Sequence, residues 1–294
     1  MLRRTHWLRH IARLDPEVDY EEIYRVMTTH EFPWDMNQSL SFALFRTYAV
    51  PSVGGLLDST GEFGRRTQKR YDDTALLLEE VSVNGLRSPE GLAAIRRVNQ
   101  MHGAYPISND DMRYVLSTFV VVPTRWLEDY GWRRLSGAEV RATVRYYAEL
   151  GRLLGIKDVP EDYESFVRLF EDYEAEHFAF DEGARRVADA TLALLLTFYP
   201  RVAAKPMEVF ARTLMDPPLK EALGYPAQPD WLVAGSQAGL RIRARVESLL
   251  PARKHPVRVR DLPRVRSYPD GYVVEEMGTF PRGCPVSGAA PRPR

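Results

Sequence analysis

Two neighbouring stretches decide the fold: residues 64–84, GRRTQKRYDDTALLLEEVSVN, and residues 88–103, SPEGLAAIRRVNQMHG. At about 100° per residue, Arg70, Thr74, Leu77 and Val81 share one stripe of the first, while Ile95, Val98 and His102 lie within about 60° of one another on the second. Both stripes are apolar helix faces, and each carries a polar group where burial is expected. Ser88-Pro89 supplies an N-cap followed by an N1 proline, and Gly103 stands where a C′ glycine would end the second helix. Working outward, Asp15-Pro16 repeats the cap and proline, and Ser136-x-x-Glu139 is a capping box. Apolar periodicity predicts further helices near 17–30, 38–57, 109–121, 137–154, 161–178, 181–199, 206–215 and 235–249. Strand alternation is nearly absent, so the expected fold is all-α: one helical domain over 1–250, followed by a partly extended Pro-, Arg- and Gly-rich arm over 251–294. Within that arm, Tyr272 to Glu275 either form a short strand or simply pack.

Forty Lys and Arg balance forty Asp and Glu in a chain of 294 residues. With no global basic field, nucleic acid is not an expected partner. The single cysteine, Cys284, cannot close an internal disulfide or build a zinc site, which suits a reducing, cytoplasmic setting. Residues 36–57 are weakly charged, but Pro51 and Gly54-Gly55 interrupt them, so they read as a buried helix and not a membrane span. The N-terminal MLRRTHWLRHIARL is basic without a continuous apolar core, and reads as an amphipathic first helix with a solvated basic face. An organellar presequence or a membrane-surface contact is the alternative.

On spacing alone, the chemistry stays open. An inward Arg70 needs a carboxylate, a helix C-terminus or an anionic cofactor as partner, and a helix-helix ion pair is the ordinary solution. His102 is either a core histidine satisfied by a hydrogen bond or a ligand in a dry pocket, where Gly103 would let a flat cofactor approach the backbone. Glu174-x-x-His177 has di-iron spacing but occurs once, so it reads as a helix end or a supporting pair. Asp72-Asp73 and Asn109-Asp110-Asp111 resemble the magnesium-holding acids of prenyl-diphosphate enzymes, yet helix capping explains the second group. His6, His10, His30 and His255 show no interior ligand spacing.

Several motifs together resemble the MpaB-type oxygenases, relatives of the rubber oxygenase latex clearing protein: LDPEVDYEEIYRVM, EFPWDM, residues 43–81, residues 96–126, GIKDVPEDYESF and YEAEHFAFDEGARRVADAT. The resemblance implies a globin-reminiscent helical domain that binds heme b and uses dioxygen to oxidise or cleave lipophilic, often isoprenoid, substrates. It places the axial iron ligand on His102, in QMHG, and the Arg-x-x-x-Thr pair linked to heme retention and activity on Arg70 and Thr74. The departures are specific. The rubber oxygenase has a lysine where this chain has Asp73, and its glutamate base has no clear match here, Glu62 being the nearest in sequence. MpaB is membrane-anchored, whereas this sequence is expected to be soluble or membrane-peripheral. Two other classes stand beside this one: a non-catalytic heme carrier or sensor with Cys284 as auxiliary ligand, and a metal-dependent prenyl-diphosphate enzyme using Asp72, Asp73, Asp110 and Asp111.

Overall fold

The computed structural model describes residues 2–279, so Cys284 lies outside the described residues. Among the described residues every regular element is helical. In chain order they are α1 (His6–Ile11), α2 (Tyr20–Val26) running into a π-helical turn (Met27–Glu31), α3 (Pro33–Tyr48), α4 (Pro51–Ser59), α5 (Glu62–Arg65), α6 (Thr67–Asn84) and α7 (Pro89–His102). They continue with α8 (Asn109–Tyr130), α9 (Gly137–Leu153), α10 (Tyr163–His177), α11 (Glu182–Leu196), α12 (Arg201–Thr213), α13 (Pro217–Ala222) and α14 (Asp230–Leu249). Two 3-10 turns, Val259–Asp261 and Val274–Glu276, follow. The helices form one domain in which α3 packs on α8, α4 on α11, α6 on α7, α10 on α8 and α2 on α9.

The cap signals operate as chemistry requires. Ser88 accepts from the Gly91 amide at 2.9 Å, and Ser136 and Glu139 form a reciprocal capping box. Asp15-Pro16 does not start a helix. Asp15 accepts from the Glu17 amide in a turn, and the helix begins four residues after Pro16, at Tyr20. A second difference shapes the cavity. The expected helix 38–57 is two helices, α3 and α4, bent by 93°. Pro51 has no amide hydrogen to donate and holds Val50 extended at φ −90° and ψ 114°, so the chain turns there. In the other direction, α8 continues past Pro123 to Tyr130, nine residues beyond the expected end, because Pro123 and the flanking Val120, Val121, Thr124 and Trp126 are buried against neighbouring helices. The stretch 272–275 is not a strand: Tyr272 packs and donates to Glu80, ahead of the 3-10 turn.

After α14 the chain runs back over α6, tied down by four buried carboxylates. Glu79 accepts the amides of Val259 and Arg260, and Glu80 accepts from Arg260 at 2.6 Å and Tyr272 at 2.5 Å. Asp72 accepts the Arg266 and Ser267 amides and the Ser267 hydroxyl, and Asp73 accepts from Tyr268 and Lys69. Beyond them, Lys69 reaches the Gly278 carbonyl at 3.1 Å and Arg97 the Met277 carbonyl at 2.6 Å. Gly278, at φ +80°, is in the left-handed region that favours glycine, and a Cβ there would sit 2.0 Å from the Met101 sulfur, so Met101 would have to move.

The close approach of α4 to α11 likewise needs a glycine. A Cβ on Gly54 would lie 2.3 Å from the Tyr48 carbonyl oxygen and 2.5 Å from the Ala184 Cβ. Gly54→Ala is therefore expected to destabilise the fold by about 3 kcal/mol through overpacking, measured by urea unfolding, with a loss under about 0.5 kcal/mol contradicting this packing.

Candidate functional site

The two stripes read from the sequence meet across one cavity of about 510 Å³, walled by α3, α4, α6, α7, α8, α9 and α11 and, at one edge, by Thr279. Its lining is overwhelmingly apolar. Three of its residues carry titrating groups suited to chemistry at ordinary pH or a fixed charge: Arg70, His102 and Asp111.

Arg70 and Thr74 stand one turn apart on α6. The Arg70 Nη1 donates to the Thr74 hydroxyl at 3.0 Å, and that hydroxyl donates in turn to the Arg70 carbonyl at 3.1 Å, which fixes the guanidinium against the helix. The Phe63 ring lies 5.9 Å from it. Arg70 forms no ion pair among the described residues, so the ordinary helix-helix pair is not what holds it. A cation on the wall of an apolar chamber without a carboxylate is a place for an anionic group to bind.

His102 occupies the last position of α7. Burial, and secondarily the Arg70 charge, push its pKa down to about 4, so the imidazole is neutral at pH 7. Its Nδ1 is sealed from solvent and has no hydrogen-bond partner among the described residues. The satisfied core histidine is thus not what the structure contains. Gly103 is in ordinary right-handed helical conformation at φ −63°, not the left-handed cap its position suggests.

Asp111, read from the sequence as a helix-start acid, is that and more. It sits at the N-terminus of α8, where its amide bonds the Ser108 cap at 2.9 Å, and its side chain faces the cavity. One carboxylate oxygen accepts from Ser52 at 2.6 Å and Tyr173 at 2.9 Å, the other from Ser108 at 2.8 Å. Sequence spacing could not find this role, because Ser52, Asp111 and Tyr173 come from three different helices.

The remaining candidates are structural. Asp73, next to Thr74 in sequence, is turned away from the cavity toward Lys69 and Tyr268. Glu62 is clamped by Arg66 through two bonds of 2.8 Å, which holds its carboxyl below the usual range, and it does not line the cavity. Asp110 pairs with Arg113 at 3.2 Å. Glu174 binds Arg46 and Tyr114, and His177 stacks on Tyr173, with ring centroids 4.0 Å apart. Among the remaining histidines, Thr29 lies 2.8 Å from His30, and Glu22 lies 3.3 Å from His10. Among the described residues no group of three or more His, Cys, Asp or Glu side chains could hold a metal ion. A single imidazole cannot retain a bare cation, which needs several protein ligands, but it suffices as axial ligand to a metal whose other positions a macrocycle fills.

Fold and cavity together define an all-helical protein that presents one neutral imidazole and one unpaired guanidinium to an apolar chamber. Residues 36–245 match the family described as ER-bound oxygenase mpaB/B'/rubber oxygenase, catalytic domain, and the chain belongs to that family. It is 33% identical over 261 residues to the ER-bound oxygenase mpaB' of Penicillium brevicompactum, covering 82% of this chain and 59% of that protein. To mpaB of the same organism it is 34% identical over 193 residues, covering 60% of this chain and 49% of the relative. To mpaB of Penicillium roqueforti it is 31% identical over 213 residues, covering 66% and 72%. The chain thus spans between about half and three-quarters of the length of these relatives. Among the described residues no single helix is long and apolar enough to cross a membrane.

The causes of the His102 shift can be separated. In protein prepared without added cofactor, side-chain NMR titration should place its midpoint near pH 4. Arg70→Met should move it upward, by removing the like charge, while burial keeps it below 6.5. A wild-type midpoint near 6.5 would contradict the site as described.

Proposed function

We propose that this chain is a heme-b-dependent oxygenase that acts with dioxygen on a lipophilic substrate, an isoprenoid being one candidate, with His102 as the axial iron ligand and Arg70 and Thr74 as the residues that position heme and oxygen. The observation that carries the reading is the buried, unpartnered Nδ1 of a neutral His102, in a cavity of a size suited to a cofactor. Family membership supports the oxygenase class, and the relatives carry that name.

Heme, when bound, supplies the oxygen and one-electron chemistry that no side chain of this cavity provides. The chain's own residues supply the rest. His102 offers a nitrogen lone pair, because burial and the Arg70 charge keep it unprotonated. Arg70 would give the carboxylate edge of a porphyrin a charge to pair with, and its bond to Thr74 already restricts the rotamers that would otherwise be lost on binding. The walls exclude water and favour a hydrocarbon. A smaller adjoining cavity of about 130 Å³ shares Leu44, Tyr71, Thr74, Leu78 and Phe119 with the first, and gives an elongated apolar substrate room past Thr74. Asp111 and its hydroxyl partners form a polar pole, separate from the Arg70–Thr74 pair, at which a substrate hydroxyl can be held.

The prenyl-diphosphate alternative loses its acids. Asp72 and Asp73 are saturated by the 266–268 segment and Asp110 is bound to Arg113, which leaves Asp111 as the one carboxylate of the cavity among the described residues, too few to hold a magnesium diphosphate.

Expression with a heme precursor is expected to give a strong Soret band that His102→Ala loses and Arg70→Gln weakens. Oxygen uptake should require both that band and a lipophilic alkene. A colourless wild type, or full heme retention in His102→Ala, contradicts the proposal, and a bound heme with no oxygen uptake on any alkene and reductant would leave a carrier or sensor.

A further inference from the structure

α14 buries one side against α8 and α12 and leaves the other uncovered. Leu240, Ala244 and Glu247 are buried, whereas Trp231, Ile242, Val246 and Leu249 are exposed, Trp231 at 74% and Leu249 at 85% of full exposure. With Gly235 and Ala238 between them, these positions recur at the period of a helix and form one stripe, which Leu250 extends. Isolated exposed apolar residues are ordinary, but a run along the whole of one helix is a surface waiting for an apolar partner.

The charges beside the stripe are mainly basic. The exposed charged residues of α14 are Asp230, at its first position, and Arg241 and Arg245, and neither arginine forms an ion pair among the described residues. The other acid of the helix, Glu247, is buried and held by Arg4, Arg243 and Arg253. Just beyond, Lys254 is exposed without an ion pair. The basic N-terminal segment docks at the same end, through Arg4, which precedes α1, to Glu247 and through Trp7 Nε1 of α1 to the Arg253 carbonyl at 2.9 Å.

We propose that this face of α14 docks on a membrane surface that carries anionic lipid. The helix lies flat, its apolar stripe enters the boundary between headgroups and acyl chains, and Arg241, Arg245 and Lys254 meet the lipid phosphates. Charge distinguishes this occupant from a second copy of the chain. An isologous pairing would bring Arg241 and Arg245 of two identical faces together with only Asp230, at the far end of each helix, to offset them, whereas an anionic bilayer supplies counter-charge along the whole face. The inference rests on α14 and Lys254 just beyond it and is independent of the cofactor reading.

The test is co-sedimentation of the full chain with phosphatidylcholine vesicles, with and without about 30% phosphatidylserine. Binding is expected with phosphatidylserine, weaker without it, and reduced in high salt. Arg241→Glu/Arg245→Glu is expected to weaken it roughly tenfold or more, and Ile242→Ser/Val246→Ser/Leu249→Ser similarly, with unchanged melting temperatures because these side chains are exposed. Failure to sediment with either vesicle overturns the proposal, as does equal binding by wild type and variants. A dimer in light scattering that both variants dissociate, without vesicle binding, would assign the face to a second copy.

Discussion

Four carboxylates buried along one side of α6 impose the constraint on which the rest of the architecture depends. Asp72, Asp73, Glu79 and Glu80 are each less than a tenth exposed, and a buried carboxylate without donors is strongly destabilising. Their donors come mainly from the 259–272 segment: backbone amides, two tyrosine hydroxyls, a serine and Arg260. The segment is therefore held by the need of the helix as much as the helix by the segment. At helical spacing Asp72 and Glu79 lie opposite Arg70, Thr74, Leu77 and Val81, and Asp73 and Glu80 lie on the flank, so fixing that side aims the stripe into the cavity.

This arrangement also explains which parts of the site were legible. The stripes holding Arg70, Thr74 and His102 could be read because helix periodicity is local, and the family resemblance pointed to the same three residues. Asp72 and Asp73 were open to a metal-holding reading because their partners, Ser267 and Tyr268, lie almost 200 residues away and leave no trace in local spacing. Asp111 could be read only as a cap for the same reason. Helix type was legible throughout, while boundaries failed where proline acts against tertiary packing. Pro51 breaks the chain at a bend, and Pro123 is carried through a helix by burial on both sides.

The electrostatics of the cavity follow from its apolar lining. In water the Arg70 charge would barely influence an imidazole, but across an apolar chamber it adds to burial in keeping His102 neutral. Asp111, by contrast, is surrounded by hydroxyl donors at a helix N-terminus. One chamber thus presents a guanidinium, a neutral imidazole and a hydrogen-bonded carboxyl group, each with different neighbours.

The returning segment has a consequence for the wall of the chamber. Helix pairs such as α6 with α7 are neighbours along the chain, whereas the bond from Lys69 to the Gly278 carbonyl joins positions 209 residues apart. Such long-range closures add loop entropy to the cost of ordering the segment. The edge formed by Gly278 against Met101 and by Thr279 thus rests on contacts that span most of the chain, so a change in the returning segment alters the cavity wall next to Met101 although it lies outside every helix of the site.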